Sequence, residues 1–206
     1  MNINEALKEL KKEENKRKFE QSIDLIVNLK GIDPKKDNIS MIVNIPHKIK
    51  EKKICGFLTK KSELVHTITQ PEFVNFKDKK NLKSLVKQYD FFIAAAKLMP
   101  AVATTFGKAL GPSGKMPSPQ LGVLMQEDDN AIKQLVERIS KSIKLRVKEA
   151  SIKVSVGKEN MSDKSLIENI EAVYQGIVNA LPTKKENVRN VMIKTTMSKA
   201  LKVEVK

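Results

Sequence analysis

Over the first 47 residues the spacing of apolar positions changes from a helical to a strand period. Ile3, Ala6, Leu7 and Leu10 recur every three or four residues, which predicts a helix over 3–18 with its charges on the opposite face. Ile23, Leu25, Val27 and Leu29 then alternate with polar Asp24 and Asn28, the period of a half-buried strand. Gly31 and the Asp33-Pro34 pair turn the chain. Ile39, Met41, Val43 and Ile45 make a second alternating strand, which Pro46-His47 ends.

From about 48 to 142 the pattern is different. Short apolar runs without alternation, at Ile54–Leu58, Phe91–Ala96 and Gly122–Leu124, are separated by helical patterns over 80–88, 100–109 and 129–142. Strands that are apolar on both faces and joined by helices predict a parallel sheet covered on both sides. After 142 alternation returns, with Ile143, Leu145 and Val147 answering Ile152, Val154 and Val156 across a turn at Lys148–Ser151, the pattern of a hairpin. Next, Leu166, Ile170, Val173, Tyr174, Ile177, Val178 and Leu181 line one helix face, with Ser162-Asp163 as cap and Pro182 as stop. Two last strands, 191–194 and 201–205, flank the loop Thr195–Ala200. The predicted fold class is an α+β domain split between 1–47 and 143–206, with an inserted α/β (parallel-sheet, Rossmann-like) domain at 48–142. The two crossings are expected to act as a hinge.

Charge adds a class of partner. The 206 residues carry 39 Lys+Arg against 24 Asp+Glu, a formal net charge of +15, which points to a polyanion. Lysine dominates the cations: only Arg17, Arg138, Arg146 and Arg189 have the guanidinium suited to bidentate readout, so phosphate attraction is favoured over base reading. The longest apolar run, Phe91–Ala96, is far short of the roughly 20 residues of a membrane span. The Asn-Ile-Asn-Glu start has no signal-peptide character, and a soluble, cytoplasmic protein is expected.

Candidate chemistry is sparse. Cys55 is the lone cysteine, and His47 and His66 stand in no ligand spacing, so no metal and no cofactor is expected. Gly107–Pro119 sets glycines beside lysines, but Ala109 and Met116 stand where a phosphate loop needs Gly and Ser/Thr. Its three glycines and three prolines predict a stiff loop with a structural or partner-contact role. The Thr195-Thr196-Met197 loop offers two hydroxyls and a thioether without Gly or Pro, groups able to meet ribose and phosphate or simply to close a hairpin. Lys18-Phe19 sets a cation beside an aromatic ahead of the first strand, to stack on sugar or to cover a sheet end. Nine aromatics in all, none of them Trp, are too few for a single-strand stacking platform, so folded RNA read by shape fits better.

These segments together resemble the universal large-subunit ribosomal protein L-one family in its archaeal-length form. The resemblance runs in order through Lys18-Phe19, Ile23–Leu29, Gly31-Ile-Asp-Pro34, Ile45-Pro-His47, Leu110-Gly-Pro-Ser-Gly-Lys-Met-Pro-Ser-Pro119 with Gly122, Val156-Gly157-Lys158 and Thr195-Thr-Met197. It implies a non-enzymatic structural constituent of the large subunit, whose split domain binds folded large-subunit rRNA and forms the mobile stalk beside the tRNA exit site. It also implies repression of translation through the protein's own mRNA, transient contact with exit-site (E-site) tRNA, and a monomer when free. Carried over residue by residue, the RNA contacts are Thr196 and Met197 at the centre with Thr195 beside them, Lys18 and Phe19, Ser22, and the Gly157-Lys158 turn. Ser198-Lys199 replaces the family's usual Gly-Pro after Thr-Met, and Lys199 there offers a phosphate contact. Lys153-Val-Ser-Val-Gly157 also departs from the usual approach to the glycine turn. The alternatives are a ribosome-assembly factor of the same fold, or a small-molecule enzyme built on the α/β domain.

Overall fold

The computed structural model describes residues 1–12, 17–33, 39–76, 78–147 and 149–205. The chain forms two compact units, one from Met1–Ile49 with Lys141–Lys206 and the other from Lys50–Ser140.

In the split unit, α1 (Ile3–Leu10) opens with the Asn2 N–H donating to Glu5 Oε2 at 3.2 Å and buries Ile3, Ala6, Leu7 and Leu10. The helix is shorter than the 3–18 expected from sequence. No apolar residue extends its buried face between Leu10 and Phe19, and residues 17–19 are not helical. Residues 13–16 of that expectation lie outside the described chain. Lys11 closes the helix by donating from Nζ to Asp163 Oδ1 at 2.6 Å and to the Met161 carbonyl at 3.0 Å.

β1 (Ser22–Leu29), β8 (Ser151–Lys158), β9 (Val188–Thr195) and β10 (Leu201–Val203) make an antiparallel sheet in the order β10-β9-β1-β8. β2 (Ser40–Asn44) and β7 (Ser142–Arg146) pair antiparallel as a separate ribbon. β7 and β8 therefore do not form the hairpin expected from their patterns. Alternation tells which face a strand buries but not which strand it pairs with. Here Met41 and Val43 of β2 lie opposite Leu145 and Ile143 of β7, and β8 takes the free edge of β1. The long helix α5 (Asp163–Ala180) is capped by Ser162 Oγ, which accepts from Ser165 N at 3.2 Å. It packs Leu166, Ile170, Val173 and Ile177, all without exposed surface, into the same core as Ile23, Leu25 and Val27. Gly176 admits Val43 so closely that a Cβ there would lie 2.6 Å from a valine methyl, which fixes the helix against the ribbon.

In the second unit, β3 (Ile54–Phe57), β4 (His66–Ile68), β5 (Phe91–Ala95) and β6 (Val123–Leu124) form a wholly parallel sheet in the order β4-β3-β5-β6. Helices α2 (Lys79–Gln88), α3 (Met99–Ser113) and α4 (Asp129–Ser140) complete it. β4 has no counterpart in the sequence reading, since three residues with one buried side chain carry no periodic signal. Five phenylalanines pack together, with Phe106 4.7 Å from Phe57 and 5.0 Å from Phe73, ring centre to ring centre, so most of the aromatics belong to this core.

The stiff loop expected over Gly107–Pro119 is half helix. α3 runs through Gly107, Gly111 and Pro112 to Ser113 and ends at Gly114, whose φ of 71° is left-handed. Pro112 removes one helical bond, and Ser113 Oγ donates to the Leu110 carbonyl at 2.9 Å within the same last turn. Lys115 then caps another helix, its Nζ reaching the Val86 and Tyr89 carbonyls at the end of α2 at 2.6 and 2.7 Å. The segment thus has a structural role within its own unit.

Candidate nucleic-acid interface

One end of the four-stranded sheet brings most of the sequence-derived candidates together. Antiparallel register sets Ile23 of β1 between Thr195 of β9 and Gly157 of β8, and sets Ser22 opposite Lys158. A bulge between Ile23 and Asp24 lets β8 carry Val156 as an extra residue, re-aiming the strand end. A Cβ at Gly157 would displace the end of the Leu166 side chain of α5, so the glycine lets the helix pack closely here.

Beyond the last backbone pair, side chains continue the ladder. The Ser22 N–H donates to Thr196 Oγ1 at 3.1 Å, and that hydroxyl donates back to the Ser22 carbonyl at 3.4 Å. Ser198 Oγ accepts from Thr195 N at 2.9 Å and donates to the Lys199 carbonyl at 3.1 Å, which closes the loop without glycine or proline. Ser198 thus supplies a turn bond of its own.

The candidates divide by exposure. Thr196 and Lys199 are exposed, Met197 is 59% exposed and Phe19 is 51% exposed. Phe19 and Met197 are two of the six large apolar side chains exposed among the described residues, and both belong to segments at this sheet end. Phe19 therefore does not cover the sheet end as a core residue. Thr195 and Gly157 are buried, so neither offers its side of the chain to a ligand; they shape the turn beneath.

Beside this end lies an open cavity of about 520 Å³, lined by Lys11, Arg17, Lys18, Phe19, Glu20, Glu159 and Asn160. Lys158 Nζ donates to Glu20 Oε2 at 2.5 Å and Asn160 Nδ2 to Glu20 Oε1 at 2.9 Å, so one carboxylate holds both polar ends of the β8–α5 turn. Along β1, burial raises the Asp24 carboxyl above its ordinary range, opposed by the Lys194 ammonium across on β9.

Sequence reasoning missed Gln21, Glu20, Glu159 and Asn160. Gln21 has no exposed surface; its Oε1 accepts from Met197 N at 3.2 Å and its Nε2 donates to Glu159 Oε2 at 3.3 Å. A signal for it existed. Stepping the β1 period back from Ile23 places residue 21 on the inward face, where an amide needs partners.

The split unit thus presents a hydroxyl, a thioether and an aromatic side chain at one sheet end, and a parallel α/β unit is inserted in it. Residues 10–199 match the family model described as Ribosomal protein L1p/L10e family. The chain belongs to that family, which is structural and non-enzymatic, and this sets aside an enzyme built on the inserted unit. Among its relatives are proteins named large ribosomal subunit protein uL1. That of Pyrococcus horikoshii is 36% identical over 98% of this chain and 95% of its own length. That of Thermococcus kodakarensis is 35% identical over 97% and 95%. That of Methanocaldococcus jannaschii is 36% identical over 97% and 94%.

Proposed function

We propose that the chain is a structural constituent of the large ribosomal subunit, and that its split unit binds a folded segment of large-subunit rRNA at the end of the β10-β9-β1-β8 sheet. Thr196 and Met197 form the centre of the contact and Phe19 its apolar flank. Lys18, Lys158 and Lys199 supply phosphate attraction, and Ser22 and Ser198 hold the loop in shape. The observation that carries this reading is the pair of exposed side chains, Phe19 and Met197, framing the exposed Thr196 at a cation-bordered sheet end.

The surface suits recognition by shape. Among the described residues, the arginine near this end is Arg17 in the flanking cavity and the aromatic is Phe19 alone, so the surface fits a preformed RNA backbone with its 2′-hydroxyls better than splayed bases. Thr196 Oγ1 already serves both backbone groups of Ser22, and its remaining lone pair can accept from a ribose hydroxyl. In the free protein Lys158 is neutralised by Glu20, so an RNA phosphate competes with that carboxylate for the ammonium.

On this reading the bound rRNA segment is the mobile stalk beside the tRNA exit site, and exit-site tRNA is a transient neighbour. The protein's own mRNA, carrying a similar structure, competes for the same sheet end, and binding there represses translation. The protein works in the cytoplasm, on the ribosome. The test is a filter-binding titration with an rRNA stalk fragment. Thr196→Val should weaken binding by about 1–3 kcal/mol, the cost of leaving buried RNA partners unpaired. Unchanged affinity would defeat the assignment. An mRNA leader that fails to compete would defeat the repressor part alone.

A further inference from the structure

We infer that Gln21 is the positioning residue of this interface: a buried amide that holds the Thr196-Met197 loop and the β8–α5 turn in one fixed arrangement before RNA arrives. This rests on the reading of the sheet end as the RNA site.

The loop Thr195–Ala200 has no glycine or proline to set its backbone, so its shape depends on tethers. Ser198 and Thr196 supply two of them, on either side of Met197. At Met197 itself the backbone N–H donates to Gln21 Oε1 at 3.2 Å, and among the described residues no other hydrogen bond holds that residue. The same amide donates from Nε2 to Glu159 Oε2 at 3.3 Å, and the Gln21 carbonyl accepts from Glu159 N at 2.9 Å. Glu20 and Ser22 on either side serve Lys158, Asn160 and Thr196, so three consecutive residues tie both contacting segments to the entry of β1. Gln21 has no exposed surface, so it does not touch RNA and acts through Met197. A methionine of similar length would fill the space, and an amide there adds geometry rather than packing. A loop ordered in advance spares RNA binding the cost of ordering it.

The experiment compares full-length wild type, Gln21→Met and Thr196→Val in one filter-binding titration with an rRNA stalk fragment. Amide hydrogen exchange by NMR and a melting curve are recorded on each free protein. Gln21→Met should bind about tenfold more weakly, lose exchange protection at the Met197 amide, and keep protection at Ile193 in the sheet. Its melting temperature should fall by no more than about 5 °C. Affinity within twofold of wild type, with Thr196→Val weakened, would overturn the role of Gln21 while leaving the site standing. Wild-type affinity in both variants would overturn the site itself. If Gln21→Met does not fold, wild type still decides: a Met197 amide exchanging at the rate of an open loop would mean there is no tether.

Discussion

Thr195 and Thr196 are neighbours in the chain and face opposite ways: the Thr195 hydroxyl is fully buried with no hydrogen-bond partner among the described residues, and the Thr196 hydroxyl is bonded to both backbone groups of Ser22. Thr195 continues the inward row of Val191 and Ile193, where a hydroxyl gains nothing. Thr195→Val keeps the shape and removes an unpaired polar atom. It should therefore stabilise the protein by about 1 kcal/mol in a urea melt and leave RNA affinity unchanged. Thr196→Val should show the opposite pattern. A stability loss in Thr195→Val would mean that its hydroxyl finds a partner in solution.

The contrast between these two threonines shows how far sequence reading reached. Parity along β9 assigns Thr195 inward and Thr196 outward, so the exposed member of the pair was legible. Strand pairing was not legible, because β7 and β8 carry the same alternation whether they pair with each other or with β2 and β1. Glu20, Asn160 and Glu159 were hidden for a related reason: they converge only when β1 and the β8–α5 turn are side by side, 138 to 140 residues apart in the chain. In the second unit, the proline and glycines of 107–114 suggested a loop because helix propensity was read one residue at a time. Packing of Val102, Phe106 and Leu110 outweighs the roughly 1 kcal/mol that each helical glycine costs.

Gly157 and Leu166 compete for one space at the β8 bulge. Gly157→Ala should destabilise by about 1–3 kcal/mol, since either the strand end or the leucine must move. Leu166→Ala alone leaves a cavity and should cost about 2–5 kcal/mol. The double variant should cost less than the two together, because the new methyl occupies part of the vacated space. Additive losses in a double-mutant cycle would show that the bulge shifts without involving Leu166.

Asn169 sits in α5 without exposed surface and serves three backbone groups. Its Oδ1 accepts from His47 N at 3.0 Å, and its Nδ2 donates to the His47 and Val156 carbonyls at 3.1 and 2.9 Å. It therefore fixes the Pro46-His47 segment to β8. Asn169→Leu is close in volume but leaves those groups unserved, and should destabilise by about 3 kcal/mol in chemical denaturation. Asn169→Asp keeps the acceptor for His47 N and should lose less at low pH, where a protonated carboxyl also donates. Equal losses for both variants at every pH would count against hydrogen bonding as the cause.

Asp24 gives the pH dependence a definite sign. Burial raises its carboxyl in the folded protein above the ordinary carboxylate value, against the pull of Lys194. Between the unfolded and folded values the native state therefore holds more proton than the unfolded state, so stability falls as pH rises through that window. Below both values the group is neutral in both states and costs nothing. Asp24→Asn removes the titration while keeping shape. It should thus match wild type near pH 3, below the ordinary carboxylate value, and exceed it in urea midpoint increasingly as pH rises above that value. Because Lys194 lies opposite, Asp24→Asn made in Lys194→Met should show a larger gain, the carboxylate there having lost the ammonium that offsets its burial. A gain that is largest at pH 3, or one that shrinks when Lys194 is removed, would reverse the sign argued for this site.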